Sequence, residues 1–340
     1  MVGIAYQFVP MGFVAKPEKS KVYVDVGNAF CAGILDHHHP DAPDACTAML
    51  VLNHSEYIKS QIADDELTII PHQYPDLDAV TGAYFARMHA RDEKVMALHH
   101  DWAGYVCKID QGFTTLTSTP PITPYSLFMM RMQGLDKGHD IHKASLMVLK
   151  AGFDFLETIF DWLKGGGDLE NPQELGDLDI FAAEKKAITG DLEKYQQDIQ
   201  RAEVFSCVLP KKGGQGSQQV QGLWLSYPTS SMFKSWARGD GFVFLGIQVS
   251  EQRFILSVNP NSDVYLKCLG DFLEQAEAEK REIHGLERQG KNRPGYNSPD
   301  PWYDGCSPLH NYTIIDSPRG GTILTKAEIQ SILQFALSSV

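Results

Sequence analysis

The N-terminal third of the chain alternates between short apolar runs and longer segments with helical spacing. The runs Lys21–Gly27 and Leu67–Ile70 have the length and apolar character of buried strands, and Ile34–Leu35 is a further short apolar segment between them. The segments Asp44–Asn53 and Leu77–Ala90 carry apolar residues three and four positions apart, as helices that pack on a sheet do. This alternation predicts an α/β protein whose N-terminal domain, residues 1–120, contains a mostly parallel sheet.

Longer helical patterns follow, and the pattern then changes to strands. The proline-rich stretch Thr119–Pro124 predicts a rigid connection at the end of the first domain. Asp140–Lys164 and Asp179–Ala202 have the spacing of long helices, so residues 121–202 are predicted to form a helical connector. Alternating and continuous apolar runs after this point predict that residues 203–340 form a smaller α+β substrate-binding domain.

Composition and charge narrow the range of partners. The chain has 340 residues, of which 43% are hydrophobic, and its net charge is −13. Such an acidic chain repels the phosphate backbone at long range, so no surface for long double-stranded nucleic acid is expected. A small phosphorylated substrate or a short oligonucleotide remains compatible, because metal ions and a few local cations can neutralise it.

Location and cysteine usage add two further expectations. No apolar run approaches the ~20 residues that span a bilayer, and the N-terminus lacks the pattern of a secretory signal. We therefore expect a cytoplasmic protein without a membrane partner. The six cysteines include no C-x-x-C pair, which argues against a disulfide framework and against a cysteine zinc site.

Three polar side chains follow the apolar run Leu67–Ile70. His72, Asp76 and Asp78 lie on the predicted connecting loop and first helical turn, where a parallel strand directs side chains to the edge of its sheet. Two carboxylates this close raise each other's pKa unless a cation lies between them, so the group indicates a metal site. The alternative is that both aspartates cap the helix and that His72 is a partly buried loop residue.

Other apolar runs also end in candidate ligands. Asp25 ends the first run, Asp36 to His39 follow the second, and Asp110 precedes a glycine turn. Asp25 could instead cap the turn before Gly27, and the histidine run could be a solvated loop. An aspartate beside histidines nevertheless suits the pairing that fixes an imidazole ring at a metal.

These positions together resemble the motifs of the DHH phosphoesterase superfamily, and most of all its metal-dependent exonuclease branch. The segment His72-x3-Asp76-x-Asp78 is similar to the first motif, Asp25 to the second, Asp36-His37-His38 to the third and Asp110 to the fourth. Family members carry these motifs from first to fourth, whereas this chain has the order second, third, first, fourth. The strand order is therefore left open, and so is the choice between His37-His38 and His38-His39 as the functional pair.

The resemblance implies hydrolysis of a phosphoester or phosphoanhydride bond with two Mn²⁺ or Mg²⁺ ions. It implies two sets of metal ligands that share Asp25, the first completed by His72 and Asp76 and the second by Asp78, His37 and Asp110. It also implies that His38 faces the substrate phosphate and that Asp36 orients a histidine from behind. Oxygen ligands with a minority of imidazoles suit Mn²⁺ or Mg²⁺ better than Zn²⁺. A non-catalytic nucleotide-binding or signalling module is the alternative.

Candidate phosphate-binding side chains lie in the C-terminal part. The stretch Pro228–Ser231 opens a short helix that carries Lys234 and Arg238, which indicates either an anion pocket or an ordinary serine cap with solvated cations. Arg319-Gly320-Gly321 is similar to a glycine-rich substrate loop, without the usual histidine. Because an arginine binds phosphate through two parallel N–H bonds, Arg238 and Arg319 are the leading candidates, followed by Lys234.

Overall fold

A computed structural model of the chain describes residues 2–113, 122–214, 216–288, 296 and 299–335. The first half of the predicted connection Thr119–Pro124 lies outside the described residues. The described chain divides into two compact units. The first unit takes residues 2–110, 122–189 and 307–309, and the remaining described residues form the second. Residues 122–189 of the predicted helical connector thus belong to the first unit.

The first unit contains a five-stranded, mostly parallel sheet. Its strands are β1 (Gly3–Tyr6), β2 (Lys21–Val24), β3 (Phe30–Cys31), β4 (Ile34–Leu35) and β5 (Glu66–Pro71). They lie in the order β1-β5-β2-β4-β3, and within this sheet β3 and β4 pair antiparallel while the other pairs are parallel. The predicted α/β fold class with a mostly parallel first sheet is therefore confirmed.

The register of three neighbouring strands brings their ends together. Val24, the last residue of β2, pairs with Leu35 of β4 on one side and with Pro71 of β5 on the other. The three strands run parallel, so the residues after this rung leave the sheet at one edge. The next residue of each strand is polar: Asp25 after β2, Asp36 after β4 and His72 after β5. The strand before His72 thus lies beside the strand before Asp25, although it comes later in the chain.

Helices pack around this sheet and around one another. They are α1 (Thr47–Asn53), α2 (Ser55–Lys59), α3 (Leu77–Ala90), α4 (Ala97–Asp110), α5 (Pro124–Gln133) and α6 (Ile141–Lys164). Helix α3 is buried along nearly its whole length, and its glycine at Gly82 allows a close approach to β2. A Cβ atom at Gly82 would lie only 2.7 Å from Val24 Cγ1, so a larger residue would push α3 away from the strand. This close packing holds the start of α3 beside the end of β2.

The second unit is built on another five-stranded sheet, in the order β10-β9-β8-β7-β6. Its strands are β6 (Glu203–Pro210), β7 (Ser217–Ser226), β8 (Phe244–Ser250), β9 (Arg253–Val258) and β10 (Ile314–Asp316). The remaining helices are α7 (Ala182–Arg201), α8 (Phe233–Gly239), α9 (Leu269–His284) and α10 (Lys326–Phe335), with short 3-10 helices at Pro172–Asp177 and Asp179–Phe181. Its core contains the buried side chains of Trp224, Phe244 and Trp302. Among the described residues, no helix combines the length and the apolar character needed to cross a bilayer.

Two cysteines in the first unit form a disulfide that the sequence analysis argued against. Cys46, just before α1, is bonded to Cys107 in the last turn of α4. The 61-residue separation carries no local signal, since the pairing depends on the packing of α4 on α1. The expectation of an unpaired cysteine set was wrong at this pair. The other four cysteines, at positions 31, 207, 268 and 306, are thiols.

Reduction of this disulfide should lower the free energy of unfolding. A cross-link that closes a loop of this size contributes about 2–4 kcal/mol, because it restricts the unfolded chain. Urea unfolding with and without a dithiol measures the difference, and Cys107→Ser should unfold like the reduced protein under both conditions. Cys268→Ser removes an exposed thiol and should retain the full response to the dithiol. Identical unfolding of Cys107→Ser and the oxidised protein would contradict the cross-link.

Candidate metal centre

Asp25 lies at the centre of a buried polar cluster in the first unit. Its φ angle is +59°, so the chain leaves β2 in the left-handed conformation that side chains rarely adopt. The N–H of Asp25 donates to the carbonyl of Leu35 at 3.0 Å, which ties this strained residue to β4. Strain of this kind costs about 1–3 kcal/mol and collects at functional sites.

The two carboxylate oxygens of Asp25 face different histidines. Oδ1 lies 3.3 Å from His37 Nδ1 and 3.6 Å from His38 Nδ1, whereas Oδ2 lies 3.4 Å from His72 Nε2. Asp25 consequently belongs to two groups of side chains whose ligand atoms lie close enough to hold a metal ion. One group consists of Asp25, His72 and Asp76, and the other of Asp25, Asp36, His37 and His38.

His72 is oriented as metal-binding histidines are. Its Nδ1 lies 2.9 Å from the carbonyl oxygen of Gln73, which can only accept, so Nδ1 carries the proton. The buried Nε2 atom has no hydrogen-bond partner among the described residues, and it faces Asp25 Oδ2 at 3.4 Å and Asp76 Oδ2 at 3.9 Å. A nitrogen lone pair held against two carboxylates requires a cation or a proton between them. The donor set therefore fits a divalent cation.

His37 is surrounded by oxygen atoms on both sides of its ring. Its Nδ1 lies 3.0 Å from Thr47 Oγ1 and 3.5 Å from Asp78 Oδ2, and its Nε2 lies 3.1 Å from Asp110 Oδ2. Asp110 is the last residue of α4, and the packing of α4 on α1 brings it here. Burial lowers the pKa of His37, but the negative charges of Asp110, Asp25 and Asp78 have the larger effect and raise the pKa well above the usual value.

Asp36 and His38 form a carboxylate–imidazole pair. Asp36 Oδ1 accepts the Nδ1–H of His38 at 2.8 Å, and Oδ2 accepts the backbone N–H of Asn28 at 2.8 Å. Burial and the neighbouring His37 oppose protonation of His38, but Asp36 and Asp25 raise its pKa. Asp36 does lie behind a histidine, and that histidine is His38. The third histidine of the run, His39, lies outside the cluster and accepts the N–H of Asp41, so the geometry favours His37-His38 over His38-His39.

Asp76 and Asp78 differ in their contacts. Asp76 Oδ1 accepts the N–H of Ala79 at 3.0 Å and caps α3, while its Oδ2 faces His72. Asp78 is buried, and its oxygens accept the N–H groups of Thr47 and Ala48 at 2.9 and 2.8 Å. The capping alternative thus holds for Asp76, whereas Asp78 caps α1 and not its own helix. Burial, together with Asp25 and Asp110, raises the pKa of Asp78 well above its usual value.

Thr47 is the member of the cluster that the sequence analysis missed. It follows Cys46 within a segment that shows only helical spacing, and it is separated from Asp25 by 22 residues. The packing of α1 against α3 brings it to the cluster, and no local pattern encodes that packing.

Arg238, one of the predicted phosphate-binding residues, is buried and makes structural contacts. It is 5% exposed, its Nη1 donates to the carbonyl of Gly112 at 2.8 Å, and its Nη2 donates to Val258 and to the hydroxyl of Ser257. A guanidinium engaged in this way links α8 and the segment at Gly112 to β9. The predicted role as a phosphate clamp would require the guanidinium to leave these contacts.

The predicted anion pocket before α8 is already occupied by two carboxylates of α7. Asp198 Oδ2 accepts the N–H groups of Thr229 and Ser230 at 2.7 and 2.8 Å. Asp191 accepts the N–H groups of Ser231 and Met232 at 2.9 and 3.1 Å. The N–H groups expected to be free for an anion therefore bind the protein's own side chains.

Arg319 and Lys234 remain as candidates in the second unit, and both side chains are half-buried. The N–H groups of Arg319 and Gly320 donate to the two oxygens of Asp300, each at 2.7 Å. The glycine-rich loop is thus held by a buried carboxylate, and its backbone N–H groups at these positions are engaged.

Comparisons with protein-family models, with curated proteins and with solved structures found no match to this chain. The site is therefore described by its own residues. The buried aspartate and histidine groups around Asp25 could hold a metal ion.

Asp25→Asn should lower the metal content of the protein without unfolding it. The substitution keeps the volume of the side chain but removes the negative charge that both groups share. Elemental analysis after equilibration with metal and desalting measures the content, and circular dichroism checks the fold. Asp140→Asn is the matched control, since Asp140 caps α6, pairs with Lys143 at 3.7 Å and belongs to neither ligand group, and asparagine caps equally well. Full metal content in Asp25→Asn would show that Asp25 is not a shared ligand.

Proposed function

We propose that the chain is a metal-dependent hydrolase of a phosphoester or phosphoanhydride bond, with a dinuclear Mn²⁺ (or Mg²⁺) centre of the DHH type. The observation that carries the proposal is the position of Asp25 between two groups of ligand atoms, with one oxygen turned to each. A carboxylate in this position can bridge two cations. A site for a single structural ion has no need of a bridge.

Three ligands are proposed for each ion. His72 and Asp76 share the first ion with Asp25, as their facing atoms support. His37 and Asp110 are proposed with Asp25 for the second, because His37 Nε2 faces Asp110 Oδ2 at 3.1 Å. Asp25 Oδ1 lies 3.3 Å from Nδ1, on the other side of this ring, so it would have to turn toward the second ion to share it. Asp78 lies beside the second position and adds negative charge there, although its oxygens also hold α1.

The number of buried acidic groups favours cations at this place. Asp25, Asp36 and Asp78 are each at most 3% exposed, and they lie among three histidines. Buried carboxylates are stable only when positive charge or hydrogen-bond donors compensate them. Protons on the histidines supply this compensation in the metal-free protein, and divalent cations would replace those protons.

The residues around the centre suit phosphoryl chemistry. Two divalent ions about 3.5–4 Å apart supply charge neutralisation and a water of lowered pKa. Asp36 fixes the ring of His38 through Nδ1, so its Nε2 can donate to a phosphate oxygen. The His38 side chain is 28% exposed, whereas His37 is 1% exposed, which fits a substrate-facing role for the former.

Hydrolysis should require Mn²⁺ or Mg²⁺ and should be abolished by a chelator. Metal affinity should rise with pH, because the raised pKa values of His37 and His72 keep protons on these rings at neutral pH and a cation must displace them. The assay is a screen with pyrophosphate, polyphosphate, a cyclic dinucleotide and a short RNA, at several pH values. Turnover that persists in the chelator would contradict the proposal. Nucleotide binding without turnover would favour a signalling module instead.

Arg319 is proposed as the donor to a substrate phosphate remote from the cleaved bond, with Lys234 as the second candidate. An arginine binds such a phosphate through two parallel N–H groups, and the net charge of −13 makes a local cation of this kind necessary for holding an anion. Arg238 is left out of this role because its guanidinium is buried in structural contacts.

Arg319→Ala should raise KM about tenfold for a substrate with a remote phosphate, which is the usual effect of losing a charge-assisted hydrogen bond. KM for bis(4-nitrophenyl) phosphate, which has no second phosphate, should stay unchanged. Arg238→Ala provides the contrast: it should lower the free energy of unfolding by about 2 kcal/mol or more, since buried acceptors lose their donor. Equal changes in KM on both substrates for Arg319→Ala would place the phosphate donor elsewhere.

A further inference from the structure

Thr47 touches three members of the candidate metal centre. It is the first residue of α1 and its side chain is completely buried. Its backbone N–H donates to Asp78 Oδ2 at 2.9 Å, and its hydroxyl donates to Asp25 Oδ1 at 3.0 Å. The hydroxyl oxygen of Thr47 also lies 3.0 Å from His37 Nδ1.

The single proton of this hydroxyl decides which nitrogen of His37 carries hydrogen. An ionised carboxylate can only accept, so the Thr47 hydroxyl gives its proton to Asp25. The hydroxyl oxygen must then accept from His37, which requires hydrogen on Nδ1. The other atoms near Nδ1, Asp25 Oδ1 at 3.3 Å and Asp78 Oδ2 at 3.5 Å, are acceptors too. The lone pair of a neutral His37 ring is consequently on Nε2, on the side of Asp110.

We propose that Thr47 is a positioning residue of the metal centre: its hydroxyl links Asp25 to His37 and holds the His37 ring with Nε2 directed at a cation. This inference rests on the proposed function. The role differs from that of Asp36, which orients His38 directly through a carboxylate. A neutral hydroxyl performs the same task here without adding a further charge to a crowded acidic site.

The position of the hydroxyl is itself fixed from two sides. Asp78 holds the backbone of Thr47. The Thr47 methyl group packs on α3 at Gly82, where a Cβ atom added to the glycine would lie 3.3 Å from Thr47 Cγ2. The backbone contact and the methyl contact together limit the side chain to one rotamer. The hydroxyl is therefore held in the orientation in which it contacts Asp25 and His37.

Thr47→Val tests the inference, because valine keeps the shape and removes only the hydroxyl. Loss of such an outer hydrogen bond typically weakens metal binding 10–100-fold, and we expect this change in the Kd for Mn²⁺ measured by titration calorimetry on the full chain. Thr47→Ser retains the hydroxyl and should restore an affinity close to that of the original protein. A residue that served only packing would show the reverse order, since valine preserves the methyl group and serine does not.

Thr81→Val is the matched control. Thr81 is also completely buried in the first unit, and its hydroxyl accepts from Trp102 Nε1 at 3.2 Å, a residue that is not a candidate ligand. Thr81→Val should lower the melting temperature and leave the Kd for Mn²⁺ unchanged. If Thr47→Val does not fold, Thr47→Ala removes the same hydroxyl with less volume and is measured in its place.

The outcomes separate this inference from the proposed function. Tight Mn²⁺ binding by folded Thr47→Val or Thr47→Ala, in a protein whose original form hydrolyses phosphoesters, overturns the role of Thr47 and leaves the function intact. Weak binding by these variants with restoration by serine supports the role, even if no phosphoester is hydrolysed. Absence of Mn²⁺ binding by the original protein overturns both.

Discussion

The burial of several carboxylates at one edge of a sheet is the constraint on which the first unit depends. Asp25, Asp36 and Asp78 are almost fully buried, and each is compensated by donors from a different part of the chain. Asp36 binds a backbone N–H and an imidazole, Asp78 binds the start of α1, and Asp25 binds a hydroxyl and lies among histidine nitrogens. The strand register and the position of α1 bring these donors to the carboxylates. The end of α4 adds a further carboxylate, Asp110, beside His37.

The local sequence pattern was sufficient to predict strands of the first sheet and to identify the polar residues that follow them. Leu77–Ala90 was predicted as a helix with the bounds that the structure has, and the fold class is confirmed. Thr325 and Glu328 exchange hydrogen bonds at the start of α10, and their spacing of three residues is visible in the sequence itself. Patterns of this kind depend on residues that are neighbours in sequence. The polar residues after these strands come together because parallel strands of one sheet end at the same edge.

Long-range packing decided what the sequence could not convey. Asp78 was read as a ligand or as a cap of its own helix, yet it caps α1, whose first residue lies 31 positions earlier. The Cys46–Cys107 bond and the role of Thr47 depend on the same arrangement of α1, α3 and α4. In the second unit the apparent anion site failed for a related reason: Asp191 and Asp198 fill it, although they lie on a separate helix.

The disulfide has a consequence for the entropy of cation binding. Cys46 immediately precedes Thr47, and Cys107 lies one helical turn before Asp110, so the covalent bond ties together the two helices that approach His37 from opposite sides. Restricting these segments in advance removes conformational freedom that would otherwise be lost when the ligands close around an ion. If a cation binds as proposed, the oxidised chain is the more preorganised host, and its affinity for the cation would be thermodynamically coupled to the thiol–disulfide balance of its surroundings.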